Sequence, residues 1–153
     1  MLIAEMAAWY HLKGMSLYEA MQAIYEKYGY YHEKTVSFTM PGKDGMEKMA
    51  ALMQSLHTAP PKAVAGMDVI SCSDYLEQVI RKQAGTQTPI QGLPKSDVLK
   101  YDLSDGKTYV IVRPSGTEPK IKLYLASSQD TMQASEAVVA AVLTDLQAQL
   151  GLE

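Results

Sequence analysis

The chain has 153 residues, of which 47% are hydrophobic and 20% charged, a composition typical of a globular domain with a buried core. The formal net charge of −3 argues against a nucleic-acid partner, because proteins that bind polyanions usually carry a basic face. The single cysteine, Cys72, cannot form an internal disulfide, and the sequence has no apolar run of membrane-spanning length. We therefore expect a cytoplasmic protein that associates with no membrane.

The first residues of the chain have the pattern of a helix that has already begun. Leu2, Ile3, Met6, Trp9 and Tyr10 have helical spacing, and nothing precedes them to cap the helix. This pattern predicts a fragment of a longer protein. A native N-terminal helix with a frayed first turn is the alternative.

A second helix is predicted after Gly14. Ser16 and Glu19 form a capping box, in which each side chain can bind the other residue's backbone N–H. Apolar residues recur at helical spacing up to Tyr28, and Gly29 is placed for a left-handed C-terminal cap. The two helices are expected to form a compact antiparallel pair.

A strand and a third helix are predicted next. Residues 31–40 alternate apolar and polar side chains, which is typical of a half-buried strand. Residues 41–43 break the strand, and Asp44 with Glu47 offers an N-cap for a helix. This helix should end before Pro60.

Further strands are predicted in the second half of the chain. One runs from Gly66 to Cys72, residues 74–81 are ambiguous, and residues 83–96 indicate an irregular surface connection. Residues 98–103 and 108–113 flank an Asp-Gly turn and predict a hairpin.

The chain is predicted to end in a strand and a long helix. The strand covers Ile121–Ala126, and Asp130 is the expected cap of a helix that reaches about Leu150. The predicted buried stripe of this helix comprises Ala134, Ala137, Val138, Ala141, Val142 and Leu146.

From Tyr31 onward, the predicted element order is β, α, β, β, β, α. This order favours an α+β fold, with a largely antiparallel sheet of about four to five strands and two helices on one face. Residues 1–30 are interpreted as the helical tail of a preceding domain and residues 31–153 as a separate C-terminal domain.

The segment from Arg113 to Lys120, RPSGTEPK, is rich in groups that bind anions. Arg113 is placed at a strand end, where its planar guanidinium can meet two phosphate oxygens. Ser115 and Thr117 offer hydroxyls, and Gly116 permits a curvature that brings backbone N–H groups together. Lys120 and Lys122 alternate on the next strand and can add charge. A plain β-turn with a solvated Arg113 fits the composition equally well.

Three segments of the chain resemble one enzyme family, the α-D-phosphohexomutases. RPSGTEPKIKLYL is similar to the signature loop of their fourth domain, and GLPKSDVLKYDLSDG is similar to the approach to that loop in bacterial phosphoglucomutases. EMAAWYHLKGMSLYEAMQAIYEKYGYY resembles the end of their third domain. The resemblance covers nearly the whole chain in order, and it implies a fourth domain similar to the TATA-box-binding protein.

The resemblance implies a binding role for five residues. Arg113, Ser115, Gly116 and Thr117 would bind the phosphate of the sugar that is not being transferred, and Lys122 stands where many members carry a basic residue. Such enzymes move phosphate between the 1- and 6-positions of a hexose through a phosphoserine and a bisphosphorylated intermediate. Glucose phosphates are the favoured substrates, and mannose phosphates remain open.

The resemblance also implies what this chain does not carry. The family's phosphoserine loop, magnesium loop and sugar-recognising loop belong to its first three domains, and none has a counterpart here. We therefore expect no catalytic residue, metal ligand or cofactor in this chain, and no mutase activity from the chain alone. Its expected partners are a sugar phosphate and the remaining mutase domains. The alternative is a free-standing module that binds phosphorylated ligands or nucleic acid.

Other polar residues are given structural interpretations. The histidines His11, His32 and His57 have no metal-ligand spacing and are expected at the surface. A solvated rim is favoured over an acid–base pair for Asp68, Asp74 and Glu77. Cys72 is expected to be a small core residue.

Overall fold

A computed structural model describes residues 1–152 and shows four helices and eight strands. The helices are α1 (Leu2–Leu12), α2 (Leu17–Tyr28), α3 (Gly45–Thr58) and α4 (Met132–Leu150). The strands are β1 (Tyr30–Thr39), β2 (Ala63–Val64), β3 (Met67–Asp74), β4 (Val79–Lys82), β5 (Gln87–Pro89), β6 (Leu99–Leu103), β7 (Thr108–Pro114) and β8 (Lys120–Gln129).

The strands form one sheet in which every neighbouring pair is antiparallel. The order across the sheet is β1-β8-β7-β6-β3-β4-β5, and the short strand β2 pairs with β3. The central strands β6, β7 and β8 alternate buried and half-buried residues, as expected when one face of a sheet is covered. The last strand in sequence, β8, therefore lies between the first strand, β1, and β7.

The hydrophobic core lies between this sheet and the helices α3 and α4. Fully buried side chains on the covered face include Tyr101, Val112 and Leu123. Met53 of α3 and Val142 of α4 belong to the same cluster. Both helices thus pack on one face of the sheet, and the other face carries the half-buried residues.

The predicted α+β class, the antiparallel sheet and the placement of two helices on one face are confirmed. The predicted strand number was too low, because the sheet has eight strands. Three strands were not predicted: the two-residue strand β2, and β4 and β5 in the stretch that was predicted to be ambiguous or irregular. Strand β5 is exposed and β4 is mostly half-buried, and both are short, so burial leaves little alternation in their sequence.

The predicted N-cap was confirmed at α2 and was wrong at α4, whereas at α3 Asp44 is the N-cap residue but its side chain makes no capping hydrogen bond. The Ser16–Glu19 capping box is present, with both reciprocal hydrogen bonds. The Asp44 carboxylate instead binds Lys48 at 2.9 Å, and Thr131 rather than Asp130 caps α4. The buried residues of α4 are Ser135, Val139, Val142 and Leu146. The first two lie one residue after the predicted positions 134 and 138, and the last two were predicted correctly.

The first helix pair is much more exposed than the rest of the fold. Every residue of α1 is exposed or half-buried, and Ala20 is the buried residue of α2. Large apolar side chains such as Leu2, Ile3 and Leu12 face solvent. The pair is therefore less compact than expected. Among the described residues, no helix combines the length and apolar character needed to cross a membrane.

One core residue carries an unsatisfied polar atom. The Tyr101 hydroxyl is buried and has no hydrogen-bond partner among residues 1–152.

Because a buried polar group without a partner costs about 1–3 kcal/mol, we expect Tyr101→Phe to raise the free energy of unfolding by about 1 kcal/mol. Urea denaturation measures the change. The matched control, Tyr109→Phe on the open face, should change stability by less than about 0.5 kcal/mol. A clear loss of stability in Tyr101→Phe would contradict the prediction.

Candidate functional site

The segment predicted to bind phosphate is the loop between β7 and β8. We call residues 115–119 the phosphate loop. The Ser115 N–H donates to the Lys120 carbonyl at 2.8 Å, and the Lys120 N–H donates to the Glu118 carbonyl at 2.7 Å. These hydrogen bonds close the loop at its base, so its tip is held by the hairpin beneath it.

The structure brings Arg113 and Lys122 together at the base of the phosphate loop. They are opposite residues in the register of β7 and β8, and Ser37 of β1 is opposite Lys122 on the other side. Their neighbours Val112 and Leu123 face the core, so Arg113 and Lys122 face the open side of the sheet. Within residues 1–152, neither cation lies within 4.0 Å of a carboxylate oxygen.

Lys120 has a different environment from Lys122. Its ammonium binds both oxygens of the Glu118 carboxylate at 3.1 Å. Because this partner already neutralises it, Lys120 contributes less to the local positive potential than Arg113 or Lys122.

The tip of the phosphate loop presents several hydrogen-bond donors. The N–H groups of Gly116, Thr117 and Glu118 donate to no protein acceptor in the described chain, and the same holds for the hydroxyls of Ser115 and Thr117. Gly116 does not have a positive φ, and a Cβ at this position would meet open space. The loop therefore does not need glycine's left-handed conformation, contrary to the curvature argument from sequence.

The phosphate loop rests on the start of α3. The Met40 N–H donates to the Pro119 carbonyl at 2.7 Å. A Cβ on Gly45, the first residue of α3, would crowd the Met40 carbonyl oxygen and lie 3.1 Å from the Pro119 Cβ. Only glycine lets the helix approach the loop this closely. Gly45 is a residue that the sequence reasoning missed.

A separate cleft of about 800 Å³ lies at the opposite end of the sheet. Tyr25, Tyr30 and Tyr109 are among its lining residues, and none of the five predicted binding residues takes part. Tyr109 is near the start of β7, whereas Arg113 is near its end. The volume of this cleft is therefore no indication of the predicted phosphate site.

A polar network joins the C-terminal end of α3 to the sheet. His57 binds Asp74 through Nδ1 and Asp97 through Nε2, both at 2.9 Å. Arg81 donates to the same Asp74 oxygen at 3.1 Å. The other Asp74 oxygen accepts the backbone N–H groups that follow it in the turn. We call His57, Asp74, Arg81 and Asp97 the His57 network.

The sequence interpretation of His57 and Asp74 was wrong. Asp74 is fully buried rather than part of a solvated rim, and His57 is half-buried between two carboxylates rather than a plain surface residue. Separations of 17 and 40 residues divide His57 from its partners, so no local motif connects them. A lone helical histidine followed by well-spaced aspartates is the only signal that sequence offers.

The network changes the pKa of its members in opposite directions. Burial lowers the pKa of His57, but the hydrogen bonds to Asp74 and Asp97 outweigh burial and raise it overall. Burial raises the pKa of Asp74, but hydrogen bonds from the Glu77 N–H, His57 and Arg81 outweigh it and lower the pKa overall. Each shift therefore favours the charged form of its group.

The Cys72 thiol has the environment of a core residue. Burial raises the pKa of the Cys72 thiol to about 11, which keeps it protonated and unreactive, as expected for a core residue. No group of three or more His, Cys, Asp or Glu side chains in the described residues is placed to hold a metal ion.

Comparisons with known proteins agree on one family. The family "Phosphoglucomutase/phosphomannomutase, C-terminal domain" matches residues 40–143. Phosphoglucomutase of Staphylococcus saprophyticus is 34% identical over 113 residues, covering 74% of this chain and 20% of that protein. Phosphoglucomutase of Staphylococcus aureus is 34% identical over 125 residues, covering 82% and 22%.

A solved structure of Paramecium pp63/parafusin, described as a phosphoglucomutase in its open form, aligns with a TM-score of 0.42 and 15% identity, covering 89% of this chain and 22% of that chain.

The family match includes the whole phosphate loop and more than half of the chain. The chain therefore belongs to the phosphoglucomutase/phosphomannomutase family and carries its C-terminal domain. It spans about a fifth of the length of the curated relatives that it matches.

The contact between Gly45 and the phosphate loop gives a testable difference between two glycines. We expect Gly45→Ala to lower the free energy of unfolding by about 1–3 kcal/mol, because the new methyl group overpacks against Met40 and Pro119. Gly116→Ala is the control and should change stability by less than about 0.5 kcal/mol, since its site is open. Denaturant unfolding of both variants measures this, and equal effects would contradict the contact.

The His57 network predicts a pH dependence of stability. The raised pKa of His57 contributes stability that is fully present below about 6.5, its ordinary value, and is lost as pH rises through the folded-state pKa. The lowered pKa of Asp74 contributes stability above about 3.9 that is lost as pH falls through the folded-state value. Chemical denaturation at a series of pH values should show the alkaline loss in the parent chain and not in His57→Gln. An unchanged profile in that variant would contradict the assignment.

Proposed function

We propose that the phosphate loop, with Arg113 and Lys122 at its base, binds the phosphate of a hexose phosphate. The observation that carries this proposal is the pairing of two cations, both free of carboxylate partners in the described chain, beside three free backbone N–H groups. Arg113 can meet two phosphate oxygens through its guanidinium, and Lys122 adds a point charge. The hydroxyls of Ser115 and Thr117 complete the set of donors, and the Gly116 N–H is one of the free backbone groups.

We further propose that the complete protein interconverts hexose 1-phosphate and hexose 6-phosphate, with glucose phosphates as substrates. The relatives at 34% identity are phosphoglucomutases, and enzymes of this kind are isomerases. In this proposal, the domain holds the phosphate that is not being transferred and helps to close the active site. We propose that the complete enzyme acts in carbohydrate metabolism in the cytoplasm. The protonated, buried thiol of Cys72 is compatible with a reducing compartment.

The chemistry of transfer is assigned to the rest of the protein. Magnesium and a phosphoserine, which the family resemblance implies, would be provided by the other four fifths of the enzyme. Residues 1–30 are proposed to be the tail of the preceding domain, and residues 31–153 the phosphate-binding domain. The exposed apolar side chains of α1 support this division, because they are the kind of surface that a neighbouring domain covers.

Binding by the chain alone should be weak. Three or four charge-assisted hydrogen bonds contribute about 1.5–3 kcal/mol each, against an association cost of about 4–15 kcal/mol. Dissociation constants for free sugar phosphate in the millimolar range or above are therefore expected. The chain alone should have no mutase activity in a coupled assay, whereas the complete protein should be active.

The phosphate proposal is tested by titrating glucose 6-phosphate into the labelled chain and following amide shifts by NMR. Arg113→Ala should weaken binding by about tenfold to a hundredfold, since it removes a charged partner from the phosphate. Arg113→Lys should recover only part of this loss, because an ammonium lacks the fork geometry.

The matched control is Lys82→Ala, which removes one exposed cation from β4 at a distance from the loop. This variant should bind glucose 6-phosphate as the parent chain does. Shift changes confined to residues 113–117 and Lys122 support the proposal. No change there at saturating ligand, or equal losses in Arg113→Ala and Lys82→Ala, would refute it and favour nonspecific attraction of anions.

A further inference from the structure

Helix α3 connects the phosphate loop to the His57 network. Its first residue, Gly45, packs on Pro119, and Met40 just before it donates to the Pro119 carbonyl. Near its last turn, His57 is held between Asp74 and Asp97. The same helix is thus held at one end by the loop and at the other by two carboxylates.

The loop and the network also lie at the same end of the sheet. Asp74 is opposite Leu99 in the β3–β6 register, and Leu99 is opposite Val112 in the β6–β7 register. Val112 immediately precedes Arg113. Asp97 comes two residues before Leu99, so it lies close in sequence to the end of β6 that pairs with Val112.

Protonation of His57 decides how many of its partners it can hold. A protonated imidazole donates from both nitrogens and binds both carboxylates, whereas a neutral ring has one N–H and one lone pair. The lone pair faces a carboxylate oxygen and repels it. A neutral His57 can therefore keep only one of Asp74 and Asp97.

Asp97 is the partner that a neutral His57 would release. Asp74 is fully buried and retains Arg81 and two backbone N–H groups, so its position does not depend on the histidine alone. Asp97 is 42% exposed, and His57 is its only ion-pair partner in the described chain. Hydration can replace the histidine at Asp97 but not at Asp74.

Within residues 1–152, His57 has no ion pair besides those with Asp74 and Asp97. Asp74 on β3 and Asp97 before β6 bind its two nitrogens, and Arg81 on β4 faces it across Asp74. Cys72 and Tyr101, which lie near Asp74, stay neutral because burial raises the pKa of each. At the other end of α3, Asp44 and Lys48 neutralise each other at 2.9 Å.

We propose that His57 is a positioning residue for the phosphate loop. The proton on His57 ties the segment around Asp97 and the end of α3 to the sheet, and its loss loosens the helix on which the phosphate loop rests. Anion binding at the loop is therefore strongest when His57 is protonated and weakens as pH rises. The part of this inference that concerns binding rests on the proposed function, and the part that concerns loop position does not.

The first experiment uses the chain without ligand. Amide shifts of Met40, Ser115 and Gly116 are followed by NMR from pH 5.5 to 9, together with the ring shifts of His57. The loop amides should titrate with the midpoint of His57. In His57→Gln this titration should disappear, whereas the control His11→Gln, which changes an exposed histidine of α1, should retain it.

Asp97→Asn provides a second variant that leaves His57 and Asp74 in place. Losing one carboxylate should lower the midpoint of His57, and the loop amides should move to the same lower midpoint. Loop amides that do not titrate with His57, or that keep their midpoint in Asp97→Asn, overturn the inference whatever the loop binds.

The second experiment measures sulfate binding at constant ionic strength, because sulfate keeps its charge over this pH range and phosphate does not. Affinity in the parent chain should fall about fivefold across the titration of His57, and the pH dependence should vanish in His57→Gln. A fall that persists unchanged in His57→Gln overturns the inference while leaving the proposed function intact. If sulfate and glucose 6-phosphate both fail to bind the parent chain, the proposed function fails, and the ligand-free titration still decides the positioning role.

Discussion

The antiparallel pairing of β7 with β8 is the constraint on which the rest of the structure depends. Val110, Val112 and Leu123 face the core, so the residues between them must face the open side of the sheet. This alternation places Arg113 beside Lys122 and sets the base of the phosphate loop. A slip of either strand by one residue would turn its own cation toward α3 and α4 and leave its core residues in solvent. Packing of the core therefore specifies the geometry of the candidate site.

Helix α3 makes two kinds of contact, which differ in physical character. Its apolar side packs Met49, Met53 and Leu56 into the core. Its ends make polar or close backbone contacts, at Pro119 and at the His57 network. Apolar packing is adaptable and tolerates small shifts, whereas the buried Asp74 must keep its partners because an unpaired buried charge is very costly. The ends of the helix are therefore the parts that specify where it lies relative to the loop.

Membership of the phosphoglucomutase/phosphomannomutase family and the limited length of the chain fit together. A domain that covers about a fifth of its relatives can carry a binding loop without carrying the reaction. The donors of the loop lie on the surface, where water competes for them and weakens each contact. In the proposed function, the remaining domains exclude this water and supply the rest of the contacts to the sugar phosphate.

Local chemistry was sufficient to predict much of this protein. The capping box at Ser16, the Asp105-Gly106 hairpin and the strand before α3 depend on residues close together in sequence, and each is present. The family resemblance, carried by RPSGTEPK, also comes from one short segment. The strand β4 and the edge strand β5 escaped prediction because both are short and neither alternates between buried and exposed residues. The stripe of α4 was misplaced because alanines at helical spacing do not reveal which side of the helix the sheet will cover.

The sequence by itself determined the class of fold, the candidate phosphate loop and the family, since each is encoded in hydrophobic period, turn chemistry or a contiguous motif. Only the tertiary structure decided that Arg113 is opposite Lys122, that Gly45 must be glycine to fit against Pro119, and that His57 lies between Asp74 and Asp97. These arrangements depend on strand register and helix placement, which are set by the packing of residues far apart in the chain.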